Sequence, residues 1–364
     1  MTAVYEARLA KLQKFLGALD VDGLLIYQGF NTNYLVGFDG GTGDGVVVVG
    51  KNKVRLITDA RYEEAFKDNL PAGVQFDVTR DYFGHAAQAA KDFGIKVLGF
   101  EADLPYALWD QLDEILPVSV DLKPLPGAVE ALREVKDDTE LAALRKANDV
   151  SIKAFNDLLP FIKVGVTERQ IANELDRLAK LHGAEKASFD TIVASGVNSA
   201  KPHGTASDKA LAAGELVTID FGYYVDGYTS DITRTLAIGD VDAELVTIYN
   251  TVRQAKLNAV DTVKPGISGA EVDKVARDII VEAGYAEAFN HSTGHGVGLN
   301  IHEGPALSAR SSDELLPGHL LTIEPGIYLT GKGGVRIEDD VIVTATGYEN
   351  LTAALSDELI VIEA

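Results

Sequence analysis

Leu216-Val-Thr-Ile-Asp-Phe-Gly222 and Leu320-Leu-Thr-Ile-Glu-Pro-Gly326 are near copies of one another, 104 residues apart. Each is an apolar run that ends on an acid, and each reads as a buried strand. A second echo precedes them. Lys163-Val-Gly-Val-Thr167 is followed by Gln170, and Lys264-Pro-Gly-Ile-Ser268 by Glu271, at a spacing of 101 residues. A hydroxyl followed three residues later by Gln or Glu is the capping-box pattern that opens a helix. Two copies this far apart do not make a solenoid. They predict two related α+β halves about a pseudo-two-fold axis, with a cleft that receives the same kind of residue from each half.

The matched acids are Asp220 and Glu324. A carboxylate buried in an apolar strand needs a partner. The bland alternatives are a salt bridge or an outward-facing side chain. The context favours a cation. Asp226-Gly227 is a strong hairpin signal. With these as the turn residues, Asp231 pairs with Gly222, two residues from Asp220, and the two carboxylates project side by side. Glu324 and Glu338 flank a turn at Gly331-Lys-Gly-Gly334, and their even separation allows the same arrangement. Acids converging in this way repel one another unless metal sits between them. A site for two divalent cations is the economical explanation.

The chain has seven histidines. His295 lies in Thr293-Gly-His-Gly-Val-Gly298, where small neighbours would let the imidazole approach a metal. His302 follows in Ile301-His-Glu-Gly304, and His203 lies in Lys201-Pro-His-Gly204. His85, His182 and His319 read as surface or core residues, with His291 intermediate. Mostly oxygen ligands with one imidazole favour Mn²⁺, with Co²⁺, Zn²⁺ and Fe²⁺ as alternatives. With no cysteine and no His-Glu-x-x-His motif, a zinc finger and a zincin are excluded.

Working outward, residues 1–126 alternate short apolar runs with helical stretches and read as an α/β domain. Gly23–Tyr27, Gly45–Val49, Val54–Thr58 and Val97–Phe100 are the expected strands; Tyr62–Asn69 and His85–Phe93 are the expected helices. The glycine-rich Phe38–Gly45 lacks a P-loop ending and reads as a turn. The Pro/Gly-rich stretch Leu122–Gly127 marks a break, and Asp137-Asp-Thr-Glu140 is a capping box beyond it. Residues 127–364 form the expected second domain. The N-terminal stretch reads as an amphipathic helix through Leu9, Leu12, Phe15, Leu16 and Leu19, not as a signal peptide. The chain of 364 residues carries a net charge of −22, which argues against nucleic acid and anionic membranes as partners. The absence of cysteine fits a cytoplasmic location.

Several segments resemble the family that contains aminopeptidase P, prolidase and methionine aminopeptidase. They are Phe189-Asp-Thr-Ile-Val-Ala-Ser-Gly196, Pro202-His-Gly204, Thr218-Ile-Asp-Phe-Gly222, Ser230-Asp-Ile-Thr-Arg-Thr235, Ser292-Thr-Gly-His-Gly296, Ile301-His-Glu303, Thr322-Ile-Glu-Pro-Gly-Ile-Tyr328 and Gly334-Val-Arg-Ile-Glu-Asp-Asp340. The resemblance implies an α+β pita-bread catalytic domain behind a creatinase/prolidase-type N-terminal domain. It implies Asp220, Asp231, His295, Glu324 and Glu338 as metal ligands, with Asp231 and Glu338 bridging. It implies attack on the scissile carbonyl by hydroxide shared between the two metals. Glu324 would be the acid/base, His302 would stabilise the oxyanion, and His203 would stand near the proline nitrogen. Arg336 would orient bridging ligands or bind a substrate carboxylate, with a purely structural ion pair as its competitor. Tyr223 and Tyr228 are weaker candidates for support of the site. The N-terminal domain points to the proline-specific branch. Creatinase does not need the metal ligands, and their retention argues against that activity.

Three functions follow from the resemblance. An Xaa-Pro aminopeptidase, cutting the N-terminal Xaa-Pro bond of proline-containing peptides of three or more residues, is preferred, because Asn31–Phe38 and Ile57–Tyr62 resemble the short bacterial aminopeptidase P branch. An Xaa-Pro dipeptidase is the alternative. A non-catalytic peptide-binding relative is disfavoured by the complete ligand set. The resemblance also implies a homodimer.

Overall fold

The valine run at Gly45–Gly50 lies inside a six-stranded mixed sheet in the computed structural model, which describes residues 2–364. The sheet runs Val74–Val78, Val54–Thr58, Gly45–Gly50, Gly23–Ile26, Val97–Glu101, Asp121–Leu125. Its central strands are buried on both faces, which is why they read as unbroken apolar runs. Helix Tyr82–Phe93 starts three residues before the expected one, capped by Asp81, and buries Ala86, Ala87, Ala89 and Ala90. The expected helix at Tyr62–Asn69 shrinks to Glu63–Phe66. Helices Gly29–Val36 and Tyr106–Ile115 and the outer strands Val74–Val78 and Asp121–Leu125 were not anticipated. The last of these includes part of the stretch that reads as a break. The glycine-rich segment leads into a strand, with Asp44 held by Arg61 Nη2 at 2.7 Å and the Tyr62 hydroxyl at 2.8 Å. In helix Thr2–Phe15 and its exit, Leu9, Leu12 and Leu16 are buried as expected, whereas Phe15 faces solvent.

The chain divides into two units between Arg133 and Glu134. The second unit opens on helix Asp138–Leu158, with the anticipated capping box: Asp137 accepts from the Glu140 amide, and the Glu140 carboxylate accepts from the Asp137 amide. The paired caps Thr167/Gln170 and Ser268/Glu271 form in the same way.

Each half of this unit has its own core. In the first, helices Asp138–Leu158 and Glu168–Leu181 pack on the sheet Ile192–Ser195, Glu215–Phe221, Ile232–Ile238, Val361–Ile362. Phe155 stacks on Phe221 with ring centroids 5.4 Å apart. In the second, helices Ala243–Thr262 and Gly269–Glu282 pack through Ile248, Val252 and Ile280 on a five-stranded sheet. That sheet contains Gly294–Gly296, Leu320–Ile323 and Asp339–Val343. Each buried side chain of this size contributes about 1.5–3 kcal/mol, so both halves are anchored independently of the acids between them. Among the described residues no helix is long and apolar enough to cross a membrane.

Candidate metal centre

The first hairpin turns where the sequence says it should. Asp226 and Gly227 both have positive φ, at 52° and 78°, and Val225 pairs with Tyr228 across them. This is the type I′ turn that Asp-Gly favours. The same register pairs Phe221 with Ile232 and Asp220 with Thr233. Asp231 is therefore set against Gly222, diagonal to Asp220.

The second pair of acids sits in an interrupted ladder. Ile323 pairs with Asp339 and Gly326 with Arg336 in one continuous register. Carried across the gap, that register sets Glu324 opposite Glu338. Pro325 has no N–H to give the ladder. The two glutamate amides turn elsewhere: Glu324 N donates to Thr293 O at 2.8 Å, and Glu338 N to Thr233 O of the first half at 3.1 Å.

Asp220, Asp231 and Glu338 each present an oxygen within 4.8 Å of the others. Glu324 and His295 adjoin them: His295 Nε2 stands 3.5 Å from Glu324 Oε1 and 3.6 Å from Asp231 Oδ2. His295 Nδ1 lies 3.0 Å from the Gly296 carbonyl, which can only accept. The ring proton is therefore on Nδ1, and the Nε2 lone pair faces the acids. The glycines flanking His295 serve a different purpose from the one expected. A Cβ on Gly294 would stand 1.9 Å from Thr322 O, and one on Gly296 2.0 Å from Gly304 O. Close strand approach, rather than access for the imidazole, requires them.

Arg336 is buried and mates with the same acids. Its Nη2 donates to Asp220 Oδ2 at 2.5 Å. Its Nε donates to Thr233 Oγ1 at 3.1 Å, and Thr233 Oγ1 donates to Glu338 Oε2 at 2.7 Å. Its Nη1 donates to the Tyr328 hydroxyl at 2.9 Å, and Tyr328 donates to His291 Nε2, also at 2.9 Å. The Asp231 amide donates to Asp340, which also accepts from Asn148. Arg234 donates to the carbonyls of Glu338 and Thr233 and pairs with Asp339, where Lys256 joins it. Burial works against the charge on Asp339, but Arg234 and Lys256 hold its carboxyl well below the usual range.

These acids fit divalent cations. Asp220 Oδ1 is buried with no hydrogen-bond partner. Burial first, then repulsion from Glu338 and the other acids, pushes Asp231 up; burial and Glu324 push Glu338 up. Burial lifts Glu324 to about 8 and Asp340 to about 7. Burial also drives His295 down to about 4, so it is a neutral donor at pH 7. Oxygen-rich donors with one imidazole suit Mn²⁺-like ions.

A stability prediction follows for metal-stripped protein. A carboxylate whose folded pKa is raised stabilises the fold fully below its unfolded value of ~4–4.5, and that contribution is lost as pH rises through the folded pKa. For Glu324 and Asp340 the loss runs up to about 8 and 7. His291 and His295, both lowered to about 4, oppose this trend only below their ordinary ~6.5. The thermal midpoint in chelator should therefore fall between about pH 6.5 and 8, and saturating Mn²⁺ should flatten the fall. Calorimetry across that interval checks it; a rising midpoint in chelator contradicts it.

The acids lie on the wall of a cavity of about 500 Å³ that His203, His302, His291, His295 and Arg336 also line. His302 packs edge-on against His295, ring centroids 4.5 Å apart. Every candidate metal ligand named from the sequence, with His203, His302 and Arg336, thus reaches one cleft. Tyr223 and Tyr228 do not line it; their hydroxyls bond to Asp176 and Glu140. Sequence reading missed Tyr328, Thr233, Arg234, Asn148 and Asp340 as site residues. Tyr328, Thr233, Arg234 and Asp340 sit inside motifs that carried the candidate ligands, and that adjacency was the available signal.

Residues 142–345 match the model of metallopeptidase family M24, and residues 8–135 match the creatinase/prolidase N-terminal domain. The chain is similar to an Xaa-Pro dipeptidase from Pyrococcus horikoshii, 38% identical over 96% of this chain and 97% of that one. A structure described as Xaa-Pro dipeptidase from Bacillus anthracis superposes with a TM-score of 0.94 at 42% identity, covering 98% of this chain and 100% of that one. A structure described as X-Pro aminopeptidase from Thermotoga maritima gives 0.86 at 35% identity, covering 97% and 100%.

Proposed function

The chain belongs to metallopeptidase family M24, with a pita-bread catalytic domain behind a creatinase/prolidase-type N-terminal domain, and from that membership we propose that it is an Xaa-Pro dipeptidase. The observation that carries this reading is whole-length similarity, at 38–42% identity, to proteins described as Xaa-Pro dipeptidases. It replaces the aminopeptidase preference of the sequence analysis, which rested on two short N-terminal segments. The aminopeptidase reading stays second, favoured by the Thermotoga likeness.

In this reading Asp220, Asp231, His295, Glu324 and Glu338 would hold two divalent ions, Mn²⁺ first, with Asp231 and Glu338 as the acids shared between them. When bound, such ions make water nucleophilic near neutral pH and polarise the scissile carbonyl. Glu324 takes the water proton and passes it to the proline nitrogen, a secondary amine that must be protonated to leave. His302 donates a hydrogen bond to the developing oxyanion. His203 contacts the substrate near the proline nitrogen. Arg336 orients Asp220 directly and Glu338 through Thr233, since four of its N–H groups are already engaged within the protein.

The test compares Ala-Pro, Ala-Pro-Ala and Ala-Ala-Ala with Mn²⁺-loaded protein, with and without chelator. We expect kcat/KM on Ala-Pro to exceed that on Ala-Pro-Ala by about tenfold or more, with Ala-Ala-Ala uncut and all turnover lost on chelation. Faster cleavage of Ala-Pro-Ala would establish the aminopeptidase instead.

A further inference from the structure

Glu168 is completely buried, and nothing in the reaction scheme uses it. It is the first residue of helix Glu168–Leu181, directly after the Thr167 cap. Its Oε1 accepts from the Ser195 amide at 2.7 Å and the Ser195 hydroxyl at 2.8 Å. Its Oε2 accepts from the Ser207 amide at 3.0 Å and the Ser207 hydroxyl at 2.5 Å. Asn198 Nδ2 reaches both oxygens, at 3.2 and 3.4 Å. Burial alone would raise this carboxyl, but the Ser207 and Ser195 hydroxyls prevail and hold it below the ordinary glutamate value. A buried carboxylate with this many donors is satisfied without a cation of its own.

These contacts fall at the two ends of one segment. Residues 195–207 leave the sheet at Ser195, make a single 3-10 turn at Gly196–Ala200, and then run without regular structure. The middle of the segment carries Pro202, His203 and Thr205 to the cavity wall. His203 is exposed and has no hydrogen-bond partner among the described residues. Its location is therefore set by the backbone that bears it. The far side of that backbone is pinned by Gly334 N donating to Ser199 Oγ at 2.8 Å, and by Arg336 Nη1 on Pro202 O at 3.3 Å. The near side is pinned by Glu168.

We propose that Glu168 is a positioning residue: its carboxylate ties together the two ends of segment 195–207 and thereby fixes where His203 stands over the substrate. The proposal rests on the Xaa-Pro reading in one respect, that His203 meets the substrate. A loop closed at its base loses freedom before the substrate arrives, which lowers the ordering cost of binding and of reaching the transition state. The second half uses a related device. Asp273, buried on helix Gly269–Glu282, accepts from both the amide and the hydroxyl of Thr293, just ahead of His295. In each half, then, a buried helix acid grips a Ser or Thr by amide and hydroxyl where the chain enters the cleft.

The test is a double-mutant cycle on the metal-loaded full chain, combined with hydrogen exchange. Glu168→Gln turns an NH₂ toward donors at one end of the loop. It should lower kcat/KM on Ala-Pro by about 10- to 100-fold in the wild-type background and by less than about twofold in a His203→Ala background. Metal content should not change. Amides in 196–206 should exchange faster, with those in Glu215–Phe221 and Asp339–Val343 unaffected. An equal loss in both backgrounds, or unchanged exchange in 196–206, overturns the proposal. If Glu168→Gln does not fold, Ser207→Ala carries the same cycle with the acid retained and an expected loss of about 3- to 10-fold. A wild-type chain inert on every Xaa-Pro peptide would sink the functional reading alone, while the exchange measurement still decides whether Glu168 holds the loop.

Discussion

Asp231→Asn should remove bound metal and peptide hydrolysis together while the fold survives. Asp231 stands between the two halves of the site: its carboxylate shares a 4.8 Å cluster with Asp220 and Glu338 and lies 3.6 Å from His295. An amide keeps the volume but offers one neutral oxygen where the proposed bridge needs an anion. We expect kcat/KM to fall by at least ~10³. The stability signature has two parts with opposite signs. In chelator the variant should melt at or above the wild type, because a buried carboxyl that burial and the neighbouring Glu338, Asp220 and Glu324 disfavour in its charged form is gone. On adding Mn²⁺ the wild type should gain up to about 4 kcal/mol at a thousandfold excess over Kd, and the variant should gain little. Elemental analysis and calorimetry together check this. Full metal content with normal turnover in the variant would refute the ligand assignment.

Glu324→Gln should separate binding from chemistry. The cluster of Asp220, Asp231 and Glu338 remains, so a substantial part of the metal should stay. The variant has lost a group able to take a proton from water and deliver it to the proline nitrogen. A fall in kcat of about 10²–10⁴ with a modest change in KM is expected. The pH profile should lose the limb that reports this group. If metal content falls in step with kcat, Glu324 acts as a ligand only and another residue carries the proton.

Much of this site was legible because strand chemistry is local. The pleat alternates, so an Asp-Gly turn with acids at fixed offsets from it implies that Asp220 and Asp231 meet. The capping boxes at Asp137, Thr167 and Ser268 were legible for the same reason, since each is complete within four residues. The supporting network was hidden because its partners are distant in sequence. Asn148 meets Asp340 across 192 residues, and Arg234 meets Asp339 across 105. No local pattern announces such pairs. Glu168 was overlooked because the neighbouring Thr167 and Gln170 already explained the helix start. In the first unit, strand Asp121–Leu125 contains Pro124 and reads as a break; it is tolerated because that strand lies at the sheet edge. Strand Val74–Val78, at the other edge, lacks a buried apolar run.

The hydrogen bonds that join the two halves are also those that orient the candidate ligands. Thr233 bonds to Glu338, Arg234 to the Glu338 carbonyl, and the Asp231 amide to Asp340. Anyone engineering a heat-resistant version of this chain cannot treat that seam as spare material, because tightening it moves the groups proposed to do the chemistry. The gains of about 0.5–2 kcal/mol that single stabilising substitutions commonly give are better sought on the outward faces of the four covering helices, where heat tolerance and turnover can change independently.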